Sequence, residues 1–529
     1  MKKLSDLFRK KNKKTKKSLE INNVYIDETI EKDLNKNINI IKEEFGESSD
    51  LVIKQFCSSV NLGIEMSIVY IDGLADKKII NESVLKSLMN NSECKEVKEE
   101  VKNKNLLKYI EENIILDSEI KKANKFKDLF LHILSGDSVI LVDGFNTCFV
   151  ISTKGFEDRG VQEPSSQNVI RGPRDGFCET LRTNISLIRR RIKNTNLRIE
   201  QKVIGEETNT NIAIVYVKGI ADEKIINEVR YRIDKIKIDS ILESGYIEEL
   251  IQDEPYTLFP TIYNTERPDS VSAGLLEGRI AILVDGTPFV LLVPALFVQF
   301  FQSPEDYYQR ADISSLIRIL RYVAFFLALL TPSLFIAVTT FHQEMIPPAL
   351  LISIVAQREG IPFPALIEAL IMELTFEILR EAGVRMPKAI GTAISIVGAL
   401  VLGEAAVQAG LVSPAKVIVV SITSLASFIS PSYNLAMTVR ILRFIFMLLA
   451  ASFGLFGVAL GLLTMLLHLC SLRSFGIPYM YPLAPLNLSG QKDTLIRTPL
   501  WRMFKRPKLI SSKNSVRQQN PTDAKPKKP

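Results

Sequence analysis

Ser67-Ile-Val-Tyr-Ile-Asp-Gly-Leu-Ala-Asp-Lys-Lys-Ile-Ile-Asn81 returns later in the chain as Ala213-Ile-Val-Tyr-Val-Lys-Gly-Ile-Ala-Asp-Glu-Lys-Ile-Ile-Asn227. Each copy is an apolar run closed by a glycine and followed by an Asp placed to cap a helix, so the stretch predicts a buried strand, a turn and a helix. A second pair keeps the same order: Val139-Ile-Leu-Val-Asp-Gly144 and Ala281-Ile-Leu-Val-Asp-Gly286, each a short apolar strand ended by an Asp-Gly turn. Two matched pairs in one order predict a duplicated α/β unit. Core packing and turn chemistry account for the Ile-Leu-Val-Asp-Gly strands without a ligand.

Beyond this duplication the composition changes. Apolar runs at 316–341, 389–408, 417–429 and 441–470 approach or reach bilayer length. The fold class predicted is an α/β soluble N-terminal half, built from a duplicated α/β unit, plus an α-helical polytopic membrane domain. Its divisions are a basic disordered tail at 1–20, a first α/β subdomain at 21–158, an Arg-rich connector with the second α/β subdomain at 159–315, a membrane domain of about four spans at 316–485, and a basic disordered tail at 486–529. The apolar run 288–301 is too short for a span and reads as an interfacial or re-entrant element. Four spans put both basic ends on one side, the cytoplasmic side by the positive-inside rule. The basic tails read equally as solubilising segments and as lipid-headgroup contacts.

Charges set among the apolar runs bear on function, because an ionisable group in hydrocarbon costs about 3 kcal/mol even on a lenient scale. Wound as a helix, Glu373, Glu377 and Glu381 stack at steps of four beside Arg380, one charged stripe on an apolar cylinder. With Glu404 they are the candidate polar path; repeated about an axis, the stripe would form a ring of carboxylates that favours cations. The alternative is an interfacial helix neutralised by Arg380 and Arg385. Gly391, Ser395, Ala399 and Gly403 also recur at steps of four, a small-residue face suited to close helix packing or to a homo-oligomer. Arg318 and Arg321 read as interface anchors before the first span. Arg171, Arg174, Arg189, Arg190 and Arg191 read either as an anion-binding surface or as interdomain ion pairs. No aromatic interleaving supports nucleic acid as a partner.

The 529-residue chain carries five cysteines without a CxxC pair and three histidines, so no metal site, disulfide framework or cofactor is predicted. It holds no Walker loop, nucleophile elbow or HExxH motif, which argues against an enzyme.

Taken in order, Ser135-Gly-Asp-Ser-Val-Ile-Leu-Val-Asp-Gly144, Arg171-Gly-Pro-Arg-Asp-Gly176, Thr265-Glu-Arg-Pro-Asp269, Asp285-Gly-Thr-Pro288, Glu305-Asp-Tyr-Tyr308, Arg358-Glu-Gly-Ile-Pro-Phe-Pro364, Glu377-Ile-Leu-Arg-Glu-Ala-Gly383 and Ser474-Phe-Gly-Ile-Pro-Tyr479 form a specific set. The chain resembles the A subunit of GerA-type spore germinant receptors over roughly residues 135–485. The resemblance implies a multi-pass protein of the spore inner membrane, with its N-terminal domain and C-terminal tail on the core side. It implies a transporter-like B subunit and a lipoprotein C subunit as partners. It also implies a homo-oligomer that forms or gates a cation conduit; a sporulation-stage paralogue acting in ion release shares many of these motifs. A stand-alone secondary transporter is the alternative from another class. Few spans and a duplication confined to the soluble half speak against it.

Overall fold

The computed structural model describes residues 28–57, 65–81, 120–155, 163–164, 167, 169–385, 403–487, 490–507, 509–511 and 516–517. The chain forms two units. One comprises Met1–Gln252, Ile262–Pro294 and Met503–Pro529, the other Asp253–Thr261 and Ala295–Arg502.

The first unit contains the predicted duplication, and it is larger than the sequence motifs alone. The first copy runs α1 (Leu34–Phe45), β1 (Leu51–Cys57), β2 (Glu65–Ile71), α2 (Lys77–Ile79), β3 (Ile120–Ala123), α3 (Phe126–Leu134), β4 (Ser138–Val142) and β5 (Cys148–Ile151). The second runs α4 (Leu181–Arg191), β6 (Leu197–Ile204), β7 (Thr210–Val217), α5 (Glu223–Asp234), α6 (Ser244–Ile251), β8 (Tyr263–Thr265), α7 (Pro268–Leu276), β9 (Ile280–Val284) and β10 (Val290–Val293). Both sheets are antiparallel and have the same strand order, β1-β2-β4-β5-β3 and β6-β7-β9-β10-β8.

The repeated Asp residues explain why the motifs stand out. Asp76 and Asp222 cap their helices, accepting from the amides of Lys78 at 2.7 Å and Lys224 at 2.9 Å. At the Asp-Gly turns, Asp143 accepts from the amide of Leu34 at 3.1 Å and Asp285 from that of Leu181 at 2.9 Å. The glycine amides beside them donate to Lys32 O and Glu179 O. Each turn therefore ties a central strand to the positive end of its copy's first helix, where a carboxylate is stabilised. Gly144 and Gly286 hold φ of 84° and 89°, which a residue with a Cβ adopts at a cost.

Where the two copies meet, Arg189 is fully buried. Its Nε and Nη2 donate to Asp50 at 2.7 and 2.9 Å, and Nη2 also donates to Ser48 Oγ at 2.9 Å. Beside it Arg198 donates to Glu44 O at 3.0 Å, and Ser49 donates to Ile199 O. A Cβ on Gly46 would lie 2.6 Å from Cζ of Arg198, and Gly46 holds a φ of 56°, so a larger residue there would be strained and would displace this guanidinium. Since α1 starts at Leu34 and α4 at Leu181, Lys42 stands where Arg189 does. The copies have thus diverged at the contact between them.

Two expectations need correction here. The run 288–301 is not a re-entrant element: Val290–Val293 is a buried strand of the second sheet, and Phe297–Phe301 is a short 3-10 turn in the second unit. The C-terminal stretch 486–529 is not a free tail over its described residues. Within the first unit Arg506 donates to Leu276 O at 2.8 Å and Ile510 is fully buried.

The second unit is helical: α8 (Glu305–Tyr308), α9 (Ala311–Thr340), α10 (Pro348–Arg358), α11 (Ala365–Arg385), α12 (Pro414–Phe428) and α13 (Tyr433–Ser471). Two of these, Ala311–Thr340 and Tyr433–Ser471, are long and apolar enough to cross a membrane by length and composition. The run 441–470, read in sequence as one tilted span, is instead part of two arms broken at Gly454, whose φ of 61° and ψ of −144° are not helical. The arms fold back on each other. A Cβ on Gly457 would meet Leu449 O at 2.3 Å, and Thr438 and His468, near opposite ends of α13, bond to the adjacent residues Leu258 and Thr257. The 21 residues at 433–453 and 17 at 455–471 rise about 31 and 25 Å, close to the hydrocarbon thickness.

Two outcomes check this fold. Arg189→Ala should lower unfolding free energy by about 3–5 kcal/mol, because it leaves Asp50 buried without its partner; denaturant unfolding of the purified chain measures it, and a loss under about 1 kcal/mol contradicts the clamp. Burial, reinforced by the Glu243 charge and opposed by the Asn264 hydrogen bond, pushes the Glu248 carboxyl up to about 7 from its ordinary 4.5. Between those values the folded chain holds a proton that the unfolded chain releases, so stability should fall as pH rises through this window. Glu248→Gln should flatten that slope.

Candidate functional site

Most of the predicted polar stripe lies on α11, and the structure supplies partners that the sequence reading lacked. Glu373 is 1% exposed, and its Oε2 receives Nη1 of Arg443 on α13 at 2.5 Å. Arg443 Nε donates to the carbonyl of Ala328, midway along α9, at 2.9 Å. One arginine therefore joins three helices. Glu377, a turn further on, pairs with Arg380 on its own helix and with Arg440 of α13 at 3.4 Å. Glu381 is more exposed and pairs with Arg385 at 2.7 Å. Glu404 is exposed and accepts from Gln408 at 3.2 Å.

The stripe is thus graded from buried to exposed, and its inner half is neutralised. Arg440 and Arg443 are buried at 5% and 2% exposure. In this conformation Glu373 is paired from α13, while Glu377 and Glu381 are held by Arg380 and Arg385 of their own helix, with Arg440 of α13 a second partner of Glu377. The pairing is incomplete. Glu373 Oε1 and Arg443 Nη2 are enclosed without hydrogen bonds among the described residues. A buried pair with unsatisfied atoms contributes little net stability, yet breaking it leaves a costly bare charge.

Two further buried charges lie on the same helices. Glu368 is fully buried and accepts from the amide and hydroxyl of Ser413 at 2.6 and 2.5 Å, at the start of α12. Lys416, also fully buried, makes no hydrogen bond to any described residue and sits 4.3 Å above the ring of Phe335 on α9. Lys416 was missed because a single Lys at the start of an apolar run reads as an interface anchor. Only the fold carries it inside.

A second charge cluster sits at the start of α9. Arg318, fully buried, donates to Asp306 at 3.1 and 2.9 Å and to Asp493 at 2.8 Å, while Arg321 donates to Asp306 at 2.9 Å. These residues are not lipid-facing anchors. They fasten the segment around Asp493 to the first long helix.

The remaining predicted positions divide. Gly391, Ser395 and Ala399 lie outside the described residues; Gly403 is buried, and a Cβ there would sit 3.6 Å from Val417 on α12. Of the arginine surface, Arg189 is the buried clamp, Arg191 pairs with Asp175, Arg174 lies 3.6 Å from Glu163, and Arg171 and Arg190 are exposed. Interdomain pairing, not anion binding, thus accounts for Arg189. Among the described residues no group of His, Cys, Asp and Glu is placed to hold a metal ion.

A family model described as Bacillus/Clostridium GerA spore germination protein matches residues 39–509. The chain belongs to this family. It is 52% identical over 485 residues to spore germination protein KA of Bacillus subtilis (strain 168), covering 92% of this chain and 88% of that one. It is 40% identical over 477 residues to spore germination protein GerLA of Bacillus cereus, covering 90% and 95%. A crystal structure of the N-terminal domain of the A subunit of the Bacillus megaterium spore germinant receptor GerK3 aligns with 52% of this chain and 99% of that one, at 42% identity and a TM-score of 0.41. The chain is an A-subunit type of germination protein, and with its two long apolar helices it is a spore membrane protein.

The site makes a direct prediction about stability. Glu373→Gln should cost about 3–5 kcal/mol by stranding Arg443, whereas joint Glu373→Gln and Arg443→Met should recover most of that loss. Thermal unfolding in detergent measures both; equal losses would deny that the two side chains act as a pair.

Proposed function

We propose that this chain is the A subunit of a nutrient-responsive germinant receptor in the spore inner membrane, acting with a transporter-like B subunit and a lipoprotein C subunit. In this reading it signals rather than catalyses. Its helical unit assembles into a homo-oligomer that forms or gates a cation path, and both ends of the chain face the spore core. Met1–Gln252, Ile262–Pro294 and Met503–Pro529 belong to one unit, which fits an even number of crossings.

The observation that supports this reading best is the contact of Glu373 and Glu377 on α11 with Arg443 and Arg440 on α13. Carboxylates held by arginines in an apolar bundle make a latch: movement of α11 against α13 would uncover the inner acidic residues beside the more exposed Glu381 and Glu404, and a row of carboxylates attracts cations. The incomplete hydrogen bonding of Glu373 and Arg443 keeps the closed state from being deeply stable, as a switch requires.

Spores carrying Glu377→Gln together with Glu404→Gln should show altered cation release when nutrient is given, read by following ion efflux alongside germination. Unchanged release and commitment would remove these residues from the mechanism.

A further inference from the structure

A cleft of about 440 Å³ opens beside the end of α9, lined by Thr339 and Gln343 there and by Leu351, Val355, Arg358 and Glu359 at α10. The Arg358 carbonyl accepts from the Ile361 amide at 3.1 Å, but its Nε makes no hydrogen bond to any described residue. The nearest carboxylate in an ion pair with it is Glu368, 3.9 Å from its Nε, and that Nε is enclosed without a partner. Glu368 commits Oε1 to Ser413, and its Oε2, which faces Arg358 Nε, is likewise enclosed without a hydrogen bond among the described residues. Gln343 Nε2 donates to Thr339 O at 2.9 Å. The cleft thus presents a guanidinium only loosely paired with Glu368, an exposed carboxylate beside it at Glu359, and an apolar wall.

A cation and an anion side by side on an apolar wall match a zwitterion with an apolar body, and position narrows the source. The 30 residues of α9 rise about 45 Å, more than the roughly 30 Å of hydrocarbon, so if its first turns lie at one membrane face its end reaches headgroup level at the other. None of the residues of α10 is buried, as suits a helix in contact with lipid.

We propose that this cleft binds the headgroup of an amine-bearing, zwitterionic phospholipid. Arg358 receives the phosphate in its fork of donors, Glu359 receives the ammonium, and Leu351 and Val355 face the apolar portion. The assignment rests on α9 crossing a membrane but not on ion conduction, so it stands or falls apart from the cation path. A free apolar amino acid has the same chemistry without the acyl chains, and the experiment separates the two.

The full chain in detergent is offered phosphatidylethanolamine or phosphatidylglycerol, and retained lipid is counted by native mass spectrometry. The native chain should retain the ethanolamine lipid about tenfold better, since a charge-assisted contact is worth about 1.5–3 kcal/mol. Glu359→Gln should erase that preference while keeping phospholipid retention, and Arg358→Gln should weaken both lipids about tenfold. Val355→Trp, which fills the cleft and spares the charges, supplies the same reading if Arg358→Gln does not fold. Equal retention of the two lipids, or variants indistinguishable from the native chain, would overturn the proposal. Displacement of the lipid by free leucine would overturn the phospholipid assignment in favour of a soluble zwitterion. A chain that stays soluble and monodisperse without detergent would instead refute the membrane crossing.

Discussion

A guanidinium removed from water must meet a carboxylate or a ring of carbonyls, and this protein places that requirement at its main junctions. Arg189 on Asp50 sets one α/β copy against the other, Arg318 and Arg321 on Asp306 and Asp493 fix the first long helix, and Arg443 on Glu373 binds α11 to α13. Such pairs add little net stability, because desolvation offsets most of the attraction. What they supply is register: a buried arginine fork accepts one partner in one orientation, and any slip leaves a bare charge.

Much of the soluble unit was legible in the sequence because its determinants are local. A run of apolar residues, a glycine and a capping Asp specify strand, turn and helix within fifteen residues, and repetition of the pattern announced the duplication. The Asp-Gly turns were legible as turns but not as caps, since Asp143 reaches Leu34 and Asp285 reaches Leu181 across more than a hundred residues. The extent of each copy was equally hidden: β3 and β8 share almost no sequence, and only their place at the sheet edge relates them.

In the helical unit the stripe of Glu373, Glu377 and Glu381 was correctly seen to share a helix face. Its meaning was not visible, because Arg440 and Arg443 lie more than sixty residues away on a helix of their own. Hydropathy passed over Gly454 for the same reason it found the run 441–470: a glycine does not interrupt apolarity, only geometry. The spacing of Gly454, Gly457 and Gly461 was the available cue, since the second arm needs small residues where it returns against Leu449 and Phe446. Lys416 carried no such signal.

On the function proposed, the row of acidic residues is a latch, and the conformation described is its closed state. If the pair of Glu373 and Arg443 holds the path shut, the complementarity of the two charges is what closes it. The most direct measurement is cation release from spores in which the two residues are exchanged, Glu373→Arg with Arg443→Glu, beside each single change. The account predicts release without nutrient from the single variants and restored nutrient dependence in the exchanged pair. An exchanged pair that leaks like the singles, or singles that wait for nutrient like the native chain, would contradict it.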